Sequence, residues 1–337
     1  MDSNIKTTIG AGLAALALVI GGGGYYYFHV HRDTPGVAIE NVAQALEDRD
    51  LQEFHRAVDV DSVINSGYDG FVDGFTASDS ATTAEAKELI RNFTQMLREP
   101  MIFSLKGALD SYVLTGSIDG DSNSGIRKIL KSVGLNDIEI RDVKNLQVSD
   151  ADKNEAFADV IIYQPELGIE FPLQIVLTRD KDNWRVTRLQ NFRDYVKQIT
   201  QVRHSQLDEY LAKSSEINSR HSAILREGEL KYGTILSAGN LSDGKTRSDL
   251  KTLVNDIFLK DWHARKQELF ALRVPPGAEP LHNLYMQICD LGIDAAQDYS
   301  KWIDDNNAVT IKSAEEKIHR LQTLTTEAAT LARQMTG

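Results

Sequence analysis

EAFADVIIYQPELGIEFPLQIVLTRDKDNWRV, residues 155–186, alternates side chains with a period of two. Ala156, Ala158, Val160 and Ile162 interleave with Phe157, Asp159, Ile161 and Tyr163; Phe171, Leu173, Ile175 and Leu177 then share one face, followed by Trp184 and Val186. Successive side chains of a strand point to opposite faces, so this pattern predicts strands with one face buried. Asp180-Lys181-Asp182-Asn183 has the composition of a turn between the last two. Ile138 and Ile140, alternating with charges, predict an earlier strand.

Upstream the apolar spacing is helical. Val37, Val42, Ala45 and Leu46 predict one helix, and Leu51, Phe54 and Val58 a second, with Asp50 as its cap. Val63, Ile64, Tyr68, Phe71, Val72 and Phe75 predict a third. The stretch 84–114, with Leu89, Ile90, Phe93, Met96 and Leu97, predicts a long fourth helix that Pro100 kinks or breaks. A short helix over 126–133 precedes the strands. Helices followed by consecutive strands predict an α+β unit over 35–194, with helices packed on a curved antiparallel sheet.

From Phe192 the strand signal disappears. A helix is expected to run to about Ser237 and stop at Gly239-Asn240; a second, through Leu250, Val254, Phe258, Trp262 and Leu269, stops at Pro275-Pro276-Gly277. A third holds Leu281, Leu284, Ile288, Leu291, Tyr299 and Ile303, and a fourth Ile311, Ala314, Ile318, Leu321, Leu324 and Leu331. Short loops between long amphipathic helices predict an antiparallel helical bundle over 195–337, with its first helix shared with the unit before it. Both a monomer and a homodimer through an exposed stripe are compatible with this pattern.

Residues 9–28, IGAGLAALALVIGGGGYYYF, carry no charge. A helix of this length reaches about 30 Å, the thickness of the hydrocarbon core of a bilayer. Tyr25, Tyr26 and Tyr27 suit a headgroup belt, and a short tail, 1–8, precedes the span. The expectation is a single-pass transmembrane anchor in the cell membrane, with the lipid bilayer as partner through 9–28 and the bulk of the chain extracytoplasmic. A cleaved signal peptide is the alternative, since residues 9–20 alone make an apolar segment of suitable length.

VAIENVAQALEDRDLQEFHRAVDVDSV, together with NWRVTRLQNFRDYV, resembles a family of uncharacterised bacterial membrane-anchored proteins with a cystatin-like, nuclear-transport-factor-like cone domain. The resemblance covers about residues 35–195. It implies helices held in the concavity of a curved sheet, and no assigned activity; a fold of this kind leaves function open.

The chain has 337 residues and a formal net charge of −12, which disfavours nucleic acid as a partner. Residues 35–194 hold 17 Lys+Arg against 28 Asp+Glu, whereas 195–337 hold 18 against 19, so the acidity belongs to the first unit. A cationic partner would be attracted there, although solubility is explanation enough. One cysteine, Cys289, excludes a disulfide framework and multi-cysteine metal sites. Its neighbours Ile288 and Leu291 mark it as a core residue.

Asp119-Gly120-Asp121-Ser122-Asn123-Ser124-Gly125 is like half a calcium loop, but Ser124 stands where the turn needs Gly and Leu130 where a bidentate Glu is needed. Asp150 to Glu155 fails likewise. Asp59 and Asp61 are explained by capping and solvation better than by acid–base work. His55, His204, His221, His263, His282 and His319 lack ligand spacing; Trp262-His263 and Leu281-His282 are placed to meet across helices, by packing rather than as a site. No catalytic residue, metal or cofactor is therefore expected.

Two function classes remain. The preferred one is an envelope protein that acts as a non-enzymatic binding or interaction module for a small apolar or peptide ligand, or for another envelope protein, with Tyr68, Phe71, Phe75, Phe93 and Trp184 as pocket or core aromatics. The alternative is an enzyme with Asp159, or an acid near Tyr163, acting as a base in the cone cavity.

Overall fold

The computed structural model describes residues 34–78, 84–117, 124–132, 134–135, 138–181 and 183–336. They form two compact units that divide between Val202 and Arg203, about two turns beyond the expected 194/195 boundary.

In the first unit, α1 (Pro35–Asp48), α2 (Leu51–Ala57), α3 (Val60–Ser78), α4 (Ala84–Thr115) and α5 (Ser124–Ser132) precede β1 (Glu139–Val148), β2 (Glu155–Gln164), β3 (Ile169–Asp180) and β4 (Asn183–Leu189). The strands pair antiparallel in the order β1-β2-β3-β4. Asp50 caps α2, its side chain accepting from Glu53 N at 2.9 Å, and Asp59 accepts from Ser62 N at 3.1 Å near the start of α3. α4 runs through Pro100 without a break.

Register explains the core. Ala156, Ala158, Val160 and Ile162 are buried on one face of β2, opposite Leu177, Ile175, Leu173 and Phe171 of β3. Phe54, Ile39, Leu109 and Tyr195 close over that face. Tyr195 lies in α6 (Phe192–Ala238), whose first turns belong to this unit. Its hydroxyl donates to Gly134 O at 2.7 Å, and Gln164 Nε2 donates to the same carbonyl at 3.0 Å, both within the core. Gly134 has φ +67, a conformation that favours glycine.

The second unit holds the rest of α6, α7 (Gly244–Leu253), a π turn (Val254–Leu259), α8 (Lys260–Phe270), α9 (Glu279–Asp305) and α10 (Ala308–Thr336). Its apolar core lies in two clusters. One is built around Trp262, Leu269, Leu281, Ile288 and Leu324; the other around Leu250, Val254, Ala296 and Ile303.

Two expectations are corrected. An α+β cone behind a transmembrane helix does not describe the chain: it is mostly helical, with a small sheet of strands only 10, 10, 12 and 7 residues long. The α+β assignment gave the sheet too much weight, since the helices expected over 195–337 add to those before the strands. The membrane, transmembrane and single-pass reading is corrected as well, because among the described residues no helix is long and apolar enough to cross a membrane. Even the 47-residue α6 carries charges in nearly every turn, and charged side chains are costly in hydrocarbon. The tail 1–8 and the span 9–28 themselves lie outside the described residues.

Tyr195→Phe removes one of the two donors to Gly134 O and is expected to cost about 1 kcal/mol, the usual net worth of such a bond. Urea unfolding checks this; an unchanged midpoint would show that the hydroxyl contributes nothing.

Candidate functional site

Four segments of the second unit each turn one stripe toward a common cavity of about 460 Å³. α6 contributes Ser222, Leu225, Arg226, Glu229 and Tyr232; α9 contributes Gly292, Ala295, Ala296 and Tyr299; α10 contributes Ile318, Leu321, Gln322 and Thr325. Their spacings of three and four are those of a single helix face. The fourth stripe is Val254, Phe258, Trp262 and Arg265. In a regular α-helix, residues eight apart are rotated by about 80° from one another. The π turn at 254–259 winds more widely, which helps Val254, Phe258 and Trp262 share a side.

The cavity exists because α9 presents small side chains there. Gly292, Ala295 and Ala296 are buried and line it. Trp262 takes up part of the space by lying against Gly292, where a Cβ would collide with the indole. Val254 and Ala296 belong to one apolar cluster and Trp262 to the other, so the cavity touches both.

Polarity is graded across the site. Ser222, Arg226, Glu229, Gln322 and Thr325 are exposed and form the mouth, whereas Val254, Trp262, Arg265, Gly292, Ala295 and Ala296 are buried and form the floor. Along the helices the two ends differ too. Tyr232 and Tyr299 meet edge to face at 6.5 Å at one end, and burial raises the pKa of both phenols. At the other end Arg265, 6% exposed, donates through Nε at 2.9 Å and Nη2 at 2.7 Å to Asn218 Oδ1 and lies 4.9 Å from the Trp262 ring. Burial lowers the Arg265 pKa, against the opposing effects of Cys289 and Asp261.

Behind this end lies a buried polar pair that sequence reasoning missed. His221 Nδ1 donates to Asp261 Oδ1 at 2.7 Å, and His221 Nε2 is 3.4 Å from Glu268 Oε1. No motif announces it, since the partners are 40 residues apart. Cys289 is also buried, and desolvation pushes its thiol up to about 11, so it is not an activated nucleophile.

The residues singled out in the sequence are not brought together. Tyr68 and Trp184 are buried in the first unit, Phe71 is half-buried, and Phe75 and Phe93 are 50% and 56% exposed. Asp159 sits on the sheet face opposite the core, accepting from Asn145 Nδ2 at 2.7 Å and Gln174 Nε2 at 3.2 Å. On the same face the Arg141 guanidinium covers the Tyr163 ring at 3.6 Å. Asp61 pairs with Lys106, and His55 Nε2 is 2.8 Å from Asp110 Oδ1 at the surface.

His204, His263 and His319 are exposed, and His282, whose pKa burial lowers, faces the Tyr210 hydroxyl at 3.3 Å instead of Trp262-His263. Asp150 and Lys153 form an exposed ion pair in the β1–β2 turn, and residues 119–123 of the calcium-like string lie outside the described residues. Among the described residues no cluster of His, Cys, Asp or Glu could hold a metal ion. No family model, curated protein or solved structure matches the chain.

Gly292→Ala forces Trp262 off α9 and is expected to cost about 1–3 kcal/mol, the range for overpacking a filled contact. Denaturant unfolding followed by tryptophan fluorescence reads it; wild-type stability would mean that the indole does not rest on Gly292.

Proposed function

We propose that the chain is a non-enzymatic binding protein whose helical unit takes up a small, largely apolar molecule between α6, α8, α9 and α10. The supporting observation is the convergence of four helix stripes on one cavity with aromatic and aliphatic walls and a polar mouth. Its volume falls within the roughly 300–1,000 Å³ of small-molecule sites, whose walls are usually apolar with a few placed polar groups. A ligand that occupies the chamber takes its apolar walls out of water and stabilises the folded chain by mass action.

The binding class is favoured over the enzyme class by what surrounds the cavity. Its only deeply buried ionisable lining residue is Arg265, a poor proton shuttle because guanidinium stays charged. Asp159, on which the enzyme reading depended, is held by two amide side chains on the outer sheet face of the first unit.

The test uses N-phenyl-1-naphthylamine, a neutral apolar dye that brightens when it leaves water. The wild-type chain is expected to bind one equivalent, whereas Ala295→Phe, which places a ring in the floor, is expected to lose binding at least tenfold while keeping its helical circular dichroism. Equal binding by both proteins would place the dye elsewhere, for instance on Phe93 and Phe103, which are 56% and 79% exposed on α4, and would refute the proposal.

A further inference from the structure

We infer that the molecule held in this cavity is an anionic amphiphile, a monocarboxylate with an apolar body, whose acidic head is bound by Arg265. The inference rests on the cavity reading and adds the chemistry of one end to it.

Arg265 is a buried cation on the wall of an otherwise apolar chamber. Removing a guanidinium from water is expensive unless its charge and donors are met. The partner of its Nε and Nη2 is the neutral amide oxygen of Asn218, at 2.9 and 2.7 Å. Asp261 acts on it only through its charge and makes no hydrogen bond to it: Oδ1 of that carboxylate is 2.7 Å from His221 Nδ1, and Oδ2 is buried without a partner. Among the described residues no carboxylate pairs directly with Arg265.

The geometry of the donors then selects the ligand. Asn218 occupies the side of the fork that contains Nε, which leaves the end-on edge, Nη1 with the second hydrogen of Nη2, as a donor pair. Two parallel donors match the two oxygens of a carboxylate. A single cation with Glu229 at the mouth and Asp261 behind it suits one negative charge better than two. The tyrosine pair lies at the opposite end: Ser222 and Tyr232, ten residues apart on α6, are separated by about 15 Å along the helix. The chamber is therefore graded from a cationic end, where Trp262 flanks Arg265, to a phenolic one, with Phe258 and small or aliphatic residues between, as an amphiphile would require.

Arg226 is the competing cation, since it also lines the cavity. It is exposed at the mouth, where water and salt screen it, so it contributes little to affinity.

Displacement of N-phenyl-1-naphthylamine from the full-length chain by decanoate and by 1-decanol separates the possibilities. These probes share a ten-carbon chain and differ in the charged head. Decanoate is expected to displace the dye at a concentration at least tenfold lower than decanol, since a hydrogen bond to a charged group exceeds a neutral one by about that factor. Arg265→Met is expected to abolish the advantage, read as the ratio of decanoate to decanol potency within the same variant, Arg265→Lys to restore part of that ratio, and Arg226→Met to keep it.

Equal potency of decanoate and decanol on the wild-type chain overturns the inference without needing any variant to fold. Loss of the advantage in Arg226→Met but not in Arg265→Met overturns the assignment to Arg265. Failure of the dye itself to bind strikes the cavity reading beneath, and is thereby distinguishable from failure of the anionic head.

Discussion

Trp262 rests against Gly292, and beyond that glycine the same face of α9 offers only Ala295 and Ala296 before Tyr299. This run of small residues is the constraint on which the helical unit turns. Helices pack at distances set by the side chains at their contact, commonly 8–10 Å between axes. Small residues on one helix ordinarily let neighbours draw closer and close the gap. Here the indole of Trp262 covers Gly292, while Ala295 and Ala296 line the cavity together with Phe258, Tyr232 and Tyr299. The apolar core of the unit forms two clusters, with Leu259 packed against both, and the cavity borders each of them.

The same constraint gives Arg265 its setting. Were α9 to carry leucines at 292, 295 and 296, this wall would be filled and the guanidinium would have no open edge. With the space present, one long side chain can be almost wholly withdrawn from bulk solvent, held by Asn218 and stacked beside Trp262, while still bordering a chamber. Buried charges are tolerated where they are hydrogen-bonded and useful. The buried His221–Asp261 pair behind it ties α8 to α6, because both side chains are almost fully enclosed and the imidazole donates to the carboxylate.

Much of the scaffold was legible from residue patterns. Alternation at 156–162 marked a strand but left open which of its faces is buried; Gly239-Asn240 and Pro275-Pro276-Gly277 marked helix ends, because neither sequence can continue a helix without loss of a hydrogen bond or of entropy. Pro100, read as a kink or a break, does not end the helix: α4 continues through it with one donor missing. The site was not legible. Val254, Phe258 and Trp262 follow the apolar spacing of any core stripe, and Gly292, Ala295 and Ala296 read as unremarkable helical residues. Emptiness is a property of four segments together, so no single stretch announces it. Arg265, a charged residue in an amphipathic pattern, reads as solvent-facing until its neighbours are known.

Isotope-filtered nuclear Overhauser spectroscopy on the labelled chain, with N-phenyl-1-naphthylamine unlabelled, reports where an apolar molecule sits. The account predicts cross-peaks from the dye to the Trp262 and Phe258 rings and to the methyl groups of Ala295 and Ala296. Cross-peaks confined to Phe93, Met96 and Phe103 on the exposed face of α4, with none to those four residues, would contradict it.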